Sequence, residues 1–188
     1  MSAMPVGILL AAGKGSRFGS NKLLYPVIDN TPMIMVTAQK LASVLPGSIT
    51  VINQELLPYA DQLEQLGLRV VVNEQAQRGM GSSLACGIRA SQTASAWLIA
   101  LADMPYIKTE TIISLANRLK QGADMVAPLV QQKRGHPVGF SQCYKDELIA
   151  LNNDVGARHI ITNHQDRLEL VTTDDIGVIR DIDHLSDI

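Results

Sequence analysis

Short apolar runs alternate with stretches of helical spacing along this whole chain, and that alternation restricts its fold more than any other feature. "PVGILLA" (5–11) is apolar on both faces and reads as a buried strand. Thr31-Pro32 reads as N-cap and first residue of a helix, with Ile34, Ala38, Leu41 and Leu45 on one face. Pro46-Gly47 closes that helix, and "SITVIN" (48–53) is the second strand. A second helix over 55–66 ends at Gly67, before the strand "RVVVN" (69–73). "GMGSSLACGIRA" (79–90) is a glycine-bearing turn running into a helix, followed by the strand "AWLIALADMP" (96–105). A helix over 109–121, the strand "DMVAPLV" (124–130), a turn at "QQKRG" and an antiparallel strand "HPVGFS" (136–141) come next. Helices near 144–151 and 156–164, then "LELVTT" (168–173) and "VIRDID" (178–183), complete the pattern. The alternation predicts an α/β fold, a mostly parallel sheet with helices on both faces. In such sheets ligands gather where strands end. That rule picks out the loop after the first strand, the turn after the third, and Ala102-Asp103-Met104-Pro105 after the fourth.

A chain of 188 residues suggests a single domain, 1–188, large enough for a substantial core. Aromatics are only 4% of it, so that core is aliphatic. Lys and Arg number 16 against 18 Asp and Glu, which provides no basic field for nucleic acid. No stretch approaches a membrane span, and the apolar run 6–12 lacks the length and basic flank of a signal peptide. Cys86 and Cys143 have no metal-ligand spacing and read as reduced thiols, so the expected location is the cytoplasm.

The loop after the first strand, "LLAAGKGSRFGSNKLL" (9–24), is rich in glycine and cations. Glycines let backbone N–H groups approach an anion closely. Gly13, Gly15 and Gly19 give G-x-G-x-x-x-G, which misses the dinucleotide fingerprint, and Asn53 stands where a ribose-binding acid would. No glycine directly precedes a lysine, so the P-loop pattern also fails. A third reading is a nucleotidyltransferase loop, with Ala11, Ala12 and Gly13 followed by Arg17 and Lys22 along a triphosphate.

The residues Leu10-Ala11-Ala12-Gly13-Lys14-Gly15-Ser16-Arg17-Phe18-Gly19-Ser20-Asn21-Lys22 resemble the L-A-A-G-x-S-x-R-x-G-x-x-K motif of the molybdenum cofactor nucleotidyltransferases, most closely the cytidylyltransferases. The serine comes one position late, with Gly15 in its place. The likeness continues in order at "GMGSSLACGI" (79–88), "ALADMP" (100–105), "RGHPVGF" (134–140), "DVGARHII" (154–161) and "DIDHLSDI" (181–188). It implies a single three-layer α/β/α Rossmann-like nucleotidyltransferase domain. It also implies transfer of CMP from CTP to the phosphate of molybdopterin or molybdenum cofactor, with Mg²⁺ and release of pyrophosphate.

By that resemblance Lys22, Arg17 and Asp103 are catalytic, and Asp103 is a metal ligand. Asp181 and Asp183 are candidates for a second carboxylate: strand alternation puts both on one face, and similarity to the family's near-terminal D-x-D segment favours Asp183. Gly13, Gly15 and Ser16 would offer backbone donors to phosphate beside Ala11 and Ala12. Gly79, Ser82 and Ser83 would place an anion or base edge at a helix start, with ordinary N-capping as the competing role for the serines. Asn73, at a strand end, would read the base. Arg134, His136 and Arg158 would line the acceptor pocket. Ala-Ala-Gly rather than Ala-Gly-Gly implies CTP: the Ala12 methyl narrows the space beside the base. The product would pass to a molybdenum hydroxylase. The alternatives are another phosphate acceptor, GTP as donor, or a non-catalytic nucleotide-binding module.

Overall fold

A computed structural model describes residues 3–13, 21–152, 154, 156–184 and 187. β1 (Val6–Ala11) starts the sheet, and a ribbon of β2 (Pro26–Ile28) and β3 (Thr31–Pro32) precedes α1 (Met33–Val44). β4 (Ile49–Ile52), α2 (Ala60–Gln65), β5 (Arg69–Val72), α3 (Met80–Arg89), β6 (Ala96–Leu101) and α4 (Thr109–Lys120) follow. Then come β7 (Met125–Val130), β8 (Lys133–Arg134), β9 (Val138–Ser141), α5 (Lys145–Ile149), α6 (Arg158–Asn163) and β10 (Leu168–Thr172).

The sheet order is β10-β7-β9-β6-β1-β4-β5, with β8 paired to β7. β5, β4, β1 and β6 are mutually parallel, and so are β7 and β10. β9 runs antiparallel between β6 and β7. Strand order reverses about β1: the chain moves outward to β4 and β5, then returns to β6 on the other side. The carboxyl ends of β1 and β6 therefore flank the crevice where α/β sheets bind ligands.

Two apolar layers pack on this sheet. Leu9, Ile52, Leu98 and Val126 face Ile34, Leu41, Leu63 and Leu115, from α1, α2 and α4. Ile8, Val51, Trp97 and Phe140 face Leu84, Ile88, Leu148 and Ile160, from α3, α5 and α6. β1 and β6 are apolar throughout, and β4 is apolar but for Thr50, because both of their faces are covered.

Several local expectations are corrected. Thr31-Pro32 pairs as a strand, and α1 begins at Met33, because Pro32 is extended (ψ 140) and Met33 N–H donates to Tyr25 O at 2.9 Å. The predicted helix over 55–66 is split: a short helical turn, Gln54–Tyr59, contains Pro58, and regular helix starts only at Ala60. "QQKRG" is more than a turn. Gln131 and Gln132, both at positive φ, form a two-residue hairpin loop that sends Lys133–Arg134 back along β7. Residues 178–183 form no strand. Val178 and Ile179 complete a helical turn, Ile176–Ile179, and residues 180–183 run on as a strap across the carboxyl ends of the sheet.

Candidate active site

Lys22 opens a helical turn, Lys22–Leu24, anchored by buried Leu23 and capped by Asn21, whose side chain accepts from Leu23 N–H. Its Nζ donates to Asp103 Oδ2 at 2.9 Å, to Asp183 Oδ1 at 2.9 Å and to Ile182 O at 3.0 Å. Burial by itself lowers the Lys22 pKa, but Asp183 and Asp103 together outweigh it and hold the group above its ordinary value. Lys22 is thus a firm cation set among three oxygens.

Backbone pairing sets the position of each carboxylate. Ala102 N–H extends the β6–β1 ladder by donating to Leu10 O at 3.1 Å, and Asp103 stands in the turn just beyond. Ile182 N–H donates to Asp103 O at 2.9 Å, which ties the strap to that turn. Ile182 is fully buried, so its neighbour Asp183 is delivered to Lys22 while Asp181 is left exposed. Of the two acids, Asp183 is the one that meets Lys22.

Beside this cluster lies a cavity of about 350 Å³, lined by Ala12, Gly13, Lys22, Gly79, Met80, Ser83, Asp103 and Asp154 among others. Asn53 Nδ2 donates to Ala12 O at 3.4 Å and steadies the end of β1. α3 points its N-terminus at the cavity, with Gly79 as its N-cap at φ 102. A Cβ on Gly79 would stand 1.8 Å from Asp154 Oδ1 and 2.7 Å from Asp154 Cα, so only glycine fits there. A second cavity of about 340 Å³ adjoins the first and shares Leu10, Met80, Leu101 and Asp154 with it. Arg134, His136 and Arg158 stand around a largely apolar floor that includes Leu84, Ile99 and Phe140.

His136 lies where the chain leaves β8 for β9, and its backbone N–H donates to Val178 O at 2.8 Å. Gly135, just before it, lies so close to the strap that a Cβ would stand 2.2 Å from Val178 O. Burial lowers the His136 pKa; Asp103 and Asp181 oppose that and Arg134 adds to it. His136 Nδ1 is buried without a hydrogen-bond partner among the described residues.

The structure brings Ala12, Gly13, Lys22, Gly79, Ser83, Asp103 and Asp183 to the first cavity and its rim, and Arg134, His136 and Arg158 to the second. Ala11 is buried at the end of β1 instead. Asn73 and Ser82 do not line the first cavity but a separate one, with Gln75 and Arg78. Asn73 Nδ2 donates to Ser82 Oγ and Ser83 Oγ, both at 3.0 Å, and its Oδ1 accepts from Gln75 N–H, so its polar atoms are spent inside the turn. Ser82 Oγ donates to Gln75 O and Gly79 O. Neither serine caps α3, since the helix begins before them at Met80. Gly15, Ser16 and Arg17 lie outside the described residues.

The MobA-like NTP transferase domain family matches residues 7–168. The chain belongs to that family. A probable molybdenum cofactor guanylyltransferase of Thermococcus gammatolerans is 31% identical over 118 residues, 62% of this chain and 57% of that protein. A nicotine blue oxidoreductase of Paenarthrobacter nicotinovorans is 26% identical over 186 residues, 94% of this chain and 91% of that one. The crystal structure of Rv0371c from Mycobacterium tuberculosis superposes with a TM-score of 0.82 at 22% identity, covering 100% of this chain and 96% of that one. The fold is therefore that of MobA-like NTP transferases, with the cluster and cavities at the carboxyl end of its sheet.

A divalent cation fits the donor set of this MobA-like domain. Asp103 and Asp183 converge with a backbone carbonyl on one ammonium, an oxygen set of the kind that could hold a hard cation. Among the described residues no group of three or more His, Cys, Asp or Glu could hold a metal. Two carboxylates suit Mg²⁺, which keeps waters and takes substrate phosphates, better than a metal needing a full protein cage. Sequence reasoning missed Asp154 and the Ile182 carbonyl. The spacing of Gly79 and Asp154 gives no sign of their contact, and a backbone oxygen leaves no trace in residue type. No helix among the described residues is long and apolar enough to cross a membrane.

Proposed function

We propose that this chain transfers CMP from CTP to the terminal phosphate of molybdopterin, with or without molybdenum, and releases pyrophosphate. The observation that carries this reading is the meeting of Asp103 and Asp183 on Lys22, at the rim of a cavity walled by Ala12 and Gly13. A phosphate monoester has a second pKa of about 6, so the acceptor is already an anion at neutral pH. Its oxygen attacks the α-phosphorus of the nucleotide without needing a strong general base. Positioning and charge neutralisation remain for the protein.

Lys22 and the Gly13 backbone hold the triphosphate, and the sequence motif adds Arg17 on the departing pyrophosphate. Asp103 and Asp183 would hold Mg²⁺, which would supply neutralisation of the phosphate charge. Arg134 and Arg158 hold the acceptor's anionic end, and the apolar floor of the second cavity takes its ring system. Asp154 and Met80 line both cavities, where the two substrates would meet. The named molybdenum relative is a guanylyltransferase. The choice of CTP rests on Ala12, which is 2% exposed and lines the nucleotide cavity. The product would be handed to a molybdenum hydroxylase.

The test is pyrophosphate release with Mg²⁺ and molybdopterin, comparing CTP with GTP. Release with CTP alone is expected. Release with GTP alone would keep the reaction and overturn the base. No release with either, from folded protein, would overturn the reaction.

A further inference from the structure

We propose that Lys22 is an exchangeable tethered counter-ion: it occupies the Asp103–Asp183 site in the free protein and withdraws to the nucleotide's phosphates when a divalent cation takes the two carboxylates. The inference rests on the nucleotidyltransferase reading for the identity of the triphosphate, but its first half concerns the free protein alone.

The geometry is specific. One ammonium meets Asp103 Oδ2 and Asp183 Oδ1 at 2.9 Å each, and Ile182 O at 3.0 Å. All three of its protons are used on oxygens of the kind Mg²⁺ or Mn²⁺ prefers. Lysine and metal therefore compete for the same atoms. The Lys22 side chain is 16% exposed, against 24% for Asp103 and 49% for Asp183. Both carboxylates thus keep solvent-accessible surface through which a cation can approach.

Lys22 also has somewhere to go. It lines the 350 Å³ cavity on the side of Ala12 and Gly13. A four-carbon stem lets its ammonium leave the carboxylates without moving the backbone. Among the described residues lining the cavity, Asp154 is the one further carboxylate, so without nucleotide the ammonium gives up two carboxylates and a carbonyl for a single acid, and metal alone must bind at that cost. A triphosphate removes that cost. Metal and nucleotide then bind cooperatively, and by linkage each tightens the other by the same factor. The free protein holds its two acids neutralised and accepts metal chiefly together with triphosphate.

The experiment is Mn²⁺ binding followed by electron paramagnetic resonance, without turnover. The wild type is compared with Lys22→Met and Lys22→Gln, each checked for native melting. Lys108→Met serves as a control for net charge, since Lys108 pairs with Asp174 on the surface. Without nucleotide, both Lys22 variants should bind Mn²⁺ about tenfold tighter than wild type, a typical size for coupling between sites. Lys108→Met should match wild type. A non-hydrolysable CTP analogue should tighten Mn²⁺ about tenfold in the wild type and much less in Lys22→Met.

Equal or weaker Mn²⁺ binding in the Lys22 variants overturns the proposal, and so does equal tightening in Lys108→Met. If neither Lys22 variant folds, the wild-type arm decides: no tightening by the nucleotide analogue overturns the proposal. Tighter Mn²⁺ in the Lys22 variants, with no pyrophosphate release from any nucleotide, would uphold the exchange and remove only the transferase reading.

Discussion

At the scale of single residues, Asp103 and His136 make separable demands on the chain. Asp103 is a quarter exposed and held by backbone bonds on both sides, so its carboxylate serves the site more than the fold. Asp103→Asn should keep its melting temperature within a few degrees and lower pyrophosphate release by about 10²–10³-fold, the scale of losing one preorganised charge contact. A loss under about tenfold would remove Asp103 from the metal site. His136 is held below the ordinary imidazole value of 6.5, first by burial. The unfolded chain therefore binds a proton near pH 6.5 that the folded chain refuses until lower pH. That part of the stability is complete above pH 6.5 and is lost as pH falls below it. The melting temperature of the wild type should thus fall more between pH 7.5 and 5.5 than that of His136→Gln. Parallel curves would show that folding leaves the proton affinity of the imidazole unchanged.

At the scale of elements, the strap from Asp175 to Asp183 holds the site together. Asp175 is 1% exposed and accepts from Lys108 N–H at 2.8 Å, Thr111 Oγ1 at 2.7 Å and Gly177 N–H at 3.0 Å. It satisfies the start of α4 from a distance, since no side chain local to that helix caps it. It also fixes the turn that sends the strap back to Asp103. Asp175→Ala leaves buried donors without an acceptor and should cost about 2–4 kcal/mol. That corresponds to a fall of about 5–15 °C in a thermal melt. A change within a degree or two would show that water replaces the carboxylate. This residue gave no signal in the sequence, because "TTDDIG" reads as an ordinary polar turn and its partners lie more than sixty positions earlier.

At the scale of the whole molecule, one end of the sheet carries everything that acts. β1 and β6 bring Ala12, Gly13 and Asp103 there, α3 brings its N-terminus, the β8–β9 junction brings His136, and the strap brings Asp183. Strand order requires this, because the crevice opens where β4 and β6 leave β1 in opposite directions. Ending the chain after Asp174 would strip away Val178 and Ile182, both 0% exposed, together with Asp175 and Asp183. Two such side chains are worth about 3–6 kcal/mol of burial. The shortened protein should melt at least about 10 °C lower. It should also lose Mn²⁺ binding at any temperature where it remains folded. A truncated protein that still binds Mn²⁺ as the full chain does would assign the metal to Asp103 without Asp183.

The sequence by itself determined the layers and the chemistry of their ends. Apolar runs of strand length, separated by helical periodicity, leave little choice but a buried parallel sheet, and glycines and charges then fall at strand ends. Asp103 was legible because local pattern places it just beyond a strand end and Lys22 because it lies in the glycine-rich loop, whereas Arg134 and His136 were singled out only by the family resemblance. Tertiary structure decided the rest. Periodicity could not choose between Asp181 and Asp183, because strand alternation puts both on one face, and in the structure the segment is a strap and not a strand. Its course is set by Ile182 N–H on Asp103 O and by Val178 O under His136 N–H. Asn73 looked available to a ligand until Ser82, Ser83 and Gln75 took its polar atoms. The contact of Gly79 with Asp154 and the reach of Asp175 to α4 belong to the same class. Local sequence encodes local conformation, whereas these contacts arise only once the closed sheet brings distant segments within hydrogen-bond reach.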